Sequence, residues 1–305
     1  MYRLLEPLFA SANTIVLGKP QQIRLAVCCL LSRGHLLIED IPGVGKTVLA
    51  HTLARALGLN YQRIQFTSDL LPADVLGAAV YEARTGGFRF LPGPIFHQVV
   101  LADEINRATP KAQSALLEAM EERQVTVEGE TRELPEPFFV IATQNPQHQI
   151  GTFPLPESQL DRFLMRLELG YPDPASERAL LLGEDRHRMI EQLPVCLTPE
   201  ALKAMQAEAS SVFAAPALLD YLQALIRFSR ESGEYVHGLS PRAGLALLNA
   251  ARTWAFLEGR DTVLPEDVQK VLEAVCAHRL RSASAGRGRS AELIAPLLEQ
   301  VAVPA

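Results

Sequence analysis

The chain is poor in cysteine and in positive charge, and it has no long charge-free apolar run. Its four Cys, at positions 28, 29, 196 and 276, form no Cys-x-x-Cys pair and have no His at metal-ligand spacing. That pattern suggests no structural zinc and reads as small buried residues in a reducing compartment. Lys and Arg together number 29 against 35 Asp and Glu, for a formal net charge of -6. The acidic balance argues against a main task of binding nucleic acid or acidic membrane non-specifically, although a local basic patch is compatible with it. No window reaches membrane-spanning length without charge, and residues 1–10 have neither a basic n-region nor a long apolar h-region. A cytoplasmic protein is expected. The 305 residues are 48% hydrophobic and 21% charged, enough for a large core and for two domains.

What the chain does have is an apolar run, Leu36-Leu37-Ile38, that breaks at Asp40-Ile41-Pro42-Gly43-Val44-Gly45 and continues as a helical pattern over 45–57. This is the order of a phosphate-binding strand, loop and helix. Glycines at 43 and 45 let the backbone turn its N–H groups inward at an anion, and the helix presents the positive end of its dipole there. Lys46 is placed to reach the β- and γ-phosphates of a nucleotide, and Thr47 to bind magnesium. Pro42, Gly43, Val44, Gly45, Lys46, Thr47 and Val48 are therefore the candidate nucleotide-binding residues. Asp40 departs from the usual pattern, which opens with Gly.

Helical spacing marks Ile23, Val27, Leu30 and Leu31 in a helix from Gln21. Ile15 to Gly18 could line an adenine pocket, with core packing the default. Tyr61 to Thr67 alternates as a strand, Leu70 to Gly77 reads as a short helix, and Val80–Arg84 with Phe88–Phe90 flank the hairpin signal Thr85-Gly86-Gly87. Gln98 to Ala102 is a second apolar strand ending in Asp103-Glu104. Asp103 is the candidate second magnesium ligand, and Glu104 the residue that polarises an attacking water. A helix follows from Pro110 to Arg123, then a candidate hairpin over 124–134. A third apolar strand, 137–145, ends in Asn145, which can hydrogen-bond the attacking water or the γ-phosphate. Arg162, between a short helix and the strand 164–169, either makes a local bridge with Asp161 or leaves the protomer to reach a neighbour's nucleotide.

Tyr171-Pro172-Asp173-Pro174 is the clearest boundary. Beyond it the pattern is helical over 175–192, 199–209, 216–230, 241–258 and 265–280, with a last stretch over 291–300 broken or kinked at Pro296. The basic run 281–290 reads as a solvated loop. Arg242 sits in a first helical turn, where a cation opposes the helix dipole, so no local structural reason for it is evident.

With these residues in this order the sequence resembles AAA+ ATPases, and more narrowly the MoxR family. The likeness rests on Gln65-Phe66-Thr67-Ser68-Asp69-Leu70-Leu71-Pro72, Gly93-Pro94-Ile95-Phe96, Ala102-Asp103-Glu104-Ile105-Asn106-Arg107-Ala108, Ala142-Thr143-Gln144-Asn145-Pro146, Leu155-Pro156-Glu157 with Leu160-Asp161-Arg162-Phe163, and Leu239-Ser240-Pro241-Arg242-Ala243. It implies a nucleotide-binding αβα core with a five-stranded parallel sheet over residues 1–172, carrying a helix-2 insert at about 69–96 and a pore-facing hairpin at about 124–134. An all-α helical lid over 173–305 would follow, with ATP/ADP and Mg2+ held at the junction. The resemblance further implies Asn145 as first sensor, Arg162 as an arginine finger acting in trans, ahead of Arg166, and Arg242 as second sensor. The working form would be a homo-oligomeric ring, typically a hexamer, remodelling protein complexes like a chaperone. Its partner would be a protein client on a separate polypeptide, in this family often one containing a von Willebrand factor A domain. Two rivals are a nucleic-acid motor, disfavoured by the acidic balance, and a nucleotide-gated scaffold with little turnover.

Overall fold

Strands buried on both faces must be apolar on both, and the three central runs are. The structure, a computed structural model, describes residues 1–84, 86–145, 151–283 and 290–303. Thr85 of the expected turn, Pro146 after Asn145, and 284–289 of the basic run lie outside the described residues. In chain order, a 3-10 turn (Tyr2–Leu5) and helices α1 (Glu6–Ile15) and α2 (Pro20–Leu31) lead to β1 (Leu36–Glu39), α3 (Lys46–Ala56) and β2 (Tyr61–Gln65). Then come α4 (Pro72–Leu76), the strands β3 (Gly77–Glu82) and β4 (Gly87–Pro92), β5 (Val99–Asp103), α5 (Pro110–Glu122), the strands β6 (Gln124–Val127) and β7 (Glu130–Glu133), β8 (Phe139–Gln144), α6 (Glu157–Leu160) and β9 (Met165–Leu167). The rest is helical: α7 (Pro174–Leu182), α8 (Arg186–Glu191), α9 (Pro199–Ser210), α10 (Pro216–Glu231), α11 (Pro241–Leu257), α12 (Pro265–Cys276) and α13 (Ser290–Gln300).

The five-stranded sheet has the order β2-β5-β8-β1-β9, and its pairings are parallel, as expected from the sequence. Alternation sends Leu36, Ile38, Leu101 and Ile141 to one face, where they pack with α1, α2, α3 and the later helices. Leu37, Val100, Ala102 and Val140 go to the other, against Leu116, Leu117 and Met120 of α5. The helices beyond residue 173 share the first of these cores, so α11 lies on α2. Ser32 Oγ bonds Thr253 Oγ1 at 2.8 Å and Gln206 Nε2 bonds the Leu30 carbonyl at 2.9 Å.

Strand β3 pairs antiparallel with β4, and β6 with β7, at both expected hairpins. Tyr81 and Phe88 face each other across the first, rings edge-on at 5.6 Å, with Phe88 76% exposed. The Arg132 guanidinium of the second lies 4.1 Å from the ring centre of Phe90 in the first, so the two hairpins are joined by a cation–π contact.

Three expectations are corrected. The stretch 175–192 is two helices rather than one: Gly183 is extended, and Asp185 starts a new helix by accepting a bond from the His187 N–H. Of the break or kink expected at Pro296 the break is absent: the last helix runs on to Gln300, with Ile294 and Leu297 buried. Cys28, Cys29 and Cys276 are buried, but Cys196 is only half-buried. No helix among the described residues is long and apolar enough to cross a membrane.

His35, at the foot of β1, accepts from the Val140 N–H through Nδ1 at 3.0 Å and donates through Nε2 to the Met120 carbonyl at 3.2 Å. A proton on Nδ1 would face the Val140 N–H, and burial lowers this imidazole's pKa to about 4 from an ordinary 6.5. The unfolded chain therefore binds the proton more readily than the fold. Stability from neutral His35 is complete above pH 6.5 and is lost as pH falls towards 4, by about 3 kcal/mol across that window. Urea midpoints at pH 7 and pH 5 test this: the gap between them is expected to shrink in His35→Gln, and an unchanged gap refutes the assignment.

Candidate active site

The apolar strand β1 delivers the chain into a loop whose Gly43 and Gly45 take φ of +85° and +97°. A Cβ at either would meet nothing within 4 Å, so the loop wraps open space rather than protein. Helix α3 starts at Lys46 with Gly45 as its N-cap, so its N-terminus belongs to this loop. Lys46 folds back over the loop, donating to the carbonyls of Asp40 and Ile41 and to Asn145 Oδ1 at 3.0 Å. Burial lowers its pKa, opposed by the charges of Asp40, Asp103 and Glu104. The ammonium is thus part-stripped of water beside a glycine loop whose inner side is open. Such a loop fits nucleotide phosphates. Thr47 and Val48 follow on the first turn of α3.

Asp40, the departure from the usual pattern, has a structural task. Its Oδ2 accepts from the N–H groups of Leu169 and Gly170 at 2.7 and 2.6 Å, and Oδ1 from Ile41 N–H at 2.7 Å. The loop is thereby tied to the exit of β9. Asp40→Ala leaves the three N–H donors Ile41, Leu169 and Gly170 without this acceptor, so the ATP KM is expected to rise about tenfold through a loosened loop, at about 1–3 kcal/mol cost in stability. An unchanged KM in a titration of initial rates against ATP refutes this.

At the ends of β5 and β8 the acidic pair and Asn145 come together. Asp103 Oδ1 accepts from Thr143 Oγ1 at 2.6 Å, and Oδ2 from Arg63 Nε at 2.9 Å. Glu104 sits in the left-handed region, φ +56°, with its N–H on Thr143 Oγ1 at 2.8 Å. A non-glycine residue held there by its neighbours is the kind of strain found at functional sites. Its carboxylate accepts from Asn145 Nδ2 at 2.9 Å and Gln65 Nε2 at 3.1 Å, and pairs with Arg107 at 3.2 Å. Asn145 therefore bridges Lys46 and Glu104. The oxygen donors Thr47 and Asp103 are of the hard type that suits magnesium. Arg63 was not singled out from the sequence, its only signal being a polar residue in a core strand; Gln65 and Thr143 stood inside motifs of the family likeness, but with no role assigned to them.

The two remaining candidates lie elsewhere. Leu164 N–H bonds the His35 carbonyl at 2.9 Å, at the start of β1, which sets Arg162 at the end of the sheet opposite the phosphate loop. β1 alone spans about 13 Å. Arg162 Nη1 donates to the Leu117 carbonyl at 2.6 Å and Nη2 pairs with Glu121 at 3.0 Å. The alternative local bridge to Asp161 is absent, because Asp161 is taken by Arg279 at 2.7 Å. Arg242, at the start of α11, is bonded to the same Glu121. Arg166 is packed into its own protomer: its side chain is 17% exposed and pairs with Glu39 at 2.9 Å.

A parallel five-stranded sheet, a phosphate loop after its β1 strand, and an acidic pair and an asparagine on the adjoining strand ends define an ATPase of the AAA+ class. Residues 35–165 match the ATPase family associated with various cellular activities (AAA), and residues 227–297 match the AAA lid domain. The uncharacterized protein YeaC of Bacillus subtilis is 45% identical over 280 residues, covering 90% of this chain and 88% of that one. Chaperone MoxR1 of Mycobacterium tuberculosis is 40% identical, covering 90% and 75%, and protein MoxR of Paracoccus denitrificans 34%, covering 95% and 92%. A crystal structure of a Cytophaga hutchinsonii protein superposes with a TM-score of 0.91 at 34% identity, over 100% of this chain and 96% of that one. The chain belongs to the MoxR family of AAA+ ATPases.

Proposed function

We propose that this ATPase works as a ring, with ATP bound between protomers, and that it remodels or activates protein complexes as a chaperone does. The observation that carries the reading is the separation of Lys46, Glu104 and Asn145 from Arg162 and Arg242, at opposite ends of one sheet. A protomer cannot close such a site on itself, whereas a head-to-tail neighbour can, and head-to-tail contacts close into a ring when the rotation between copies closes. The sequence-based reading put nucleotide at the junction of core and lid; here Arg242 joins Arg162 as a residue offered to the neighbour.

In this reading residues 1–172 are the nucleotide-binding core and 173–305 the lid. The segment from Pro42 to Val48 holds the phosphates, and Lys46 exchanges its contact with Asn145 for the γ-phosphate. Thr47 and Asp103 are the residues that would hold magnesium, which when bound neutralises phosphate charge. Glu104, oriented by Asn145, takes the proton of the attacking water. Arg162 and Arg242 from the neighbour stabilise charge developing on the γ-phosphoryl group. Loss of that group on hydrolysis removes contacts at the interface, and the joined hairpins over 69–96 and 124–134 carry the change to a client. A client with a von Willebrand factor A domain, met in the cytoplasm, fits the family. One relative, MoxR1 of Mycobacterium tuberculosis, is named a chaperone.

ATPase rate against protein concentration, with mass followed by light scattering, tests the ring. Specific activity is expected to rise as mass passes from monomer to ring. A rate per protomer that stays flat while mass changes overturns the shared site.

A further inference from the structure

Glu121, near the end of α5, meets two arginines from distant parts of the chain. Arg162 Nη2 lies 3.0 Å from Oε2, and Arg242 Nη2 bonds Oε1. The Leu117 carbonyl, one helical turn earlier, fixes Arg162 a second time at 2.6 Å. The bond from Arg242, reinforced by the charge of Arg162, holds the Glu121 carboxyl below the usual carboxylate range, so it is ionised at neutral pH.

Two guanidinium groups brought this close repel each other, and each rides on a long side chain with many rotamers. One carboxylate between them removes the repulsion and selects one rotamer of each. The trio keeps a net charge of +1, and Arg242 remains half exposed, so the cluster can take a further anion without breaking. Glu121 also ties α11 to α5, which makes the position of Arg242 a readout of how the later helices sit on the core. Arg242 opposes the dipole of its own helix, and Glu121 is the compensating charge. Resting on the reading that ATP is shared between protomers, we infer that Glu121 is a positioning residue for hydrolysis. It presents Arg162 and Arg242 as a pair to the γ-phosphate bound by the next copy of the chain.

The test compares wild type with Glu121→Ala, Glu121→Gln and Arg162→Ala, at concentrations where light scattering gives the same assembled mass. In Glu121→Ala, kcat is expected to fall about 10- to 100-fold, the size of effect that misplacing a positioned group produces. The ATP KM is expected to stay within about twofold, because the phosphate loop is at the other end of the sheet. Glu121→Gln keeps the shape and one acceptor and is expected to lie between. Removing Arg242 on top of Glu121→Ala is expected to cost less than removing it from wild type, since the two act as a unit. A wild-type kcat in Glu121→Ala beside a slow Arg162→Ala overturns the inference and spares the shared site. A wild-type kcat in both overturns the shared site itself. A kcat raised above wild type makes Glu121 a restraint and also overturns the inference. If Glu121→Ala fails to assemble, Glu121→Gln decides alone: a lower kcat at unchanged mass and KM supports the positioning role, and wild-type kinetics refute it.

Discussion

Glu104→Gln is expected to bind ATP and hydrolyse it about 10²- to 10⁴-fold more slowly than wild type, the range spanned by loss of a general base. The carboxylate is fixed from two sides by amide donors, Asn145 Nδ2 at 2.9 Å and Gln65 Nε2 at 3.1 Å. A glutamine keeps the volume but must turn its own NH2 towards one of those donors, so Asn145 or Gln65 has to rotate. The substitution thus removes the base and disturbs the bridge to Lys46 in one step, while the phosphate loop, held by Asp40, keeps its shape. Equilibrium binding of a fluorescent ATP analogue within a few-fold of wild type, together with single-turnover hydrolysis, separates the two effects. A single-turnover rate within threefold of wild type would remove Glu104 from the chemistry and return the scaffold reading to consideration.

How much of this was legible in the sequence depends on how local each signal is. The loop from Asp40 to Thr47 is readable because its glycines, its lysine and the preceding apolar strand are neighbours in the chain. The same holds for the hairpins and for the three apolar strands, whose burial on both faces leaves no polar alternation to misread. Asp40 was visible only as a mismatch, since its partners Leu169 and Gly170 lie 129 and 130 residues away. Glu121 was invisible for a stronger reason. It sits among other acidic residues on an amphipathic helix and reads as solvated surface, until the link between α6 and β9 and the start of α11 bring Arg162 and Arg242 to it from distant parts of the chain. The break at Gly183 is masked although its signals are local: apolar spacing continues on both sides, and that periodicity outweighs a Gly followed two residues later by a capping Asp.

Arg162→Ala is expected to assemble, to bind ATP as wild type does, and to hydrolyse it about 10³- to 10⁵-fold more slowly, the value of an arginine finger. A slow variant alone does not tell a residue that acts across an interface from one that holds its own fold, since Arg162 also bonds Leu117 and Glu121. Mixing does. Lys46→Ala is expected to lose nucleotide binding while keeping Arg162, and Arg162→Ala keeps the phosphate loop. When the two inactive proteins are combined in equal amounts, a shared site re-forms wherever an intact loop meets an intact finger. Random assembly makes that about a quarter of all head-to-tail contacts. The mixture is therefore expected to recover activity far above either parent, approaching that fraction of the wild-type rate. A mixture as inactive as its parents, at a mass showing that the two proteins co-assemble, would mean that each protomer uses its own Arg162. The sheet that separates Arg162 from Lys46 within one protomer argues against that outcome.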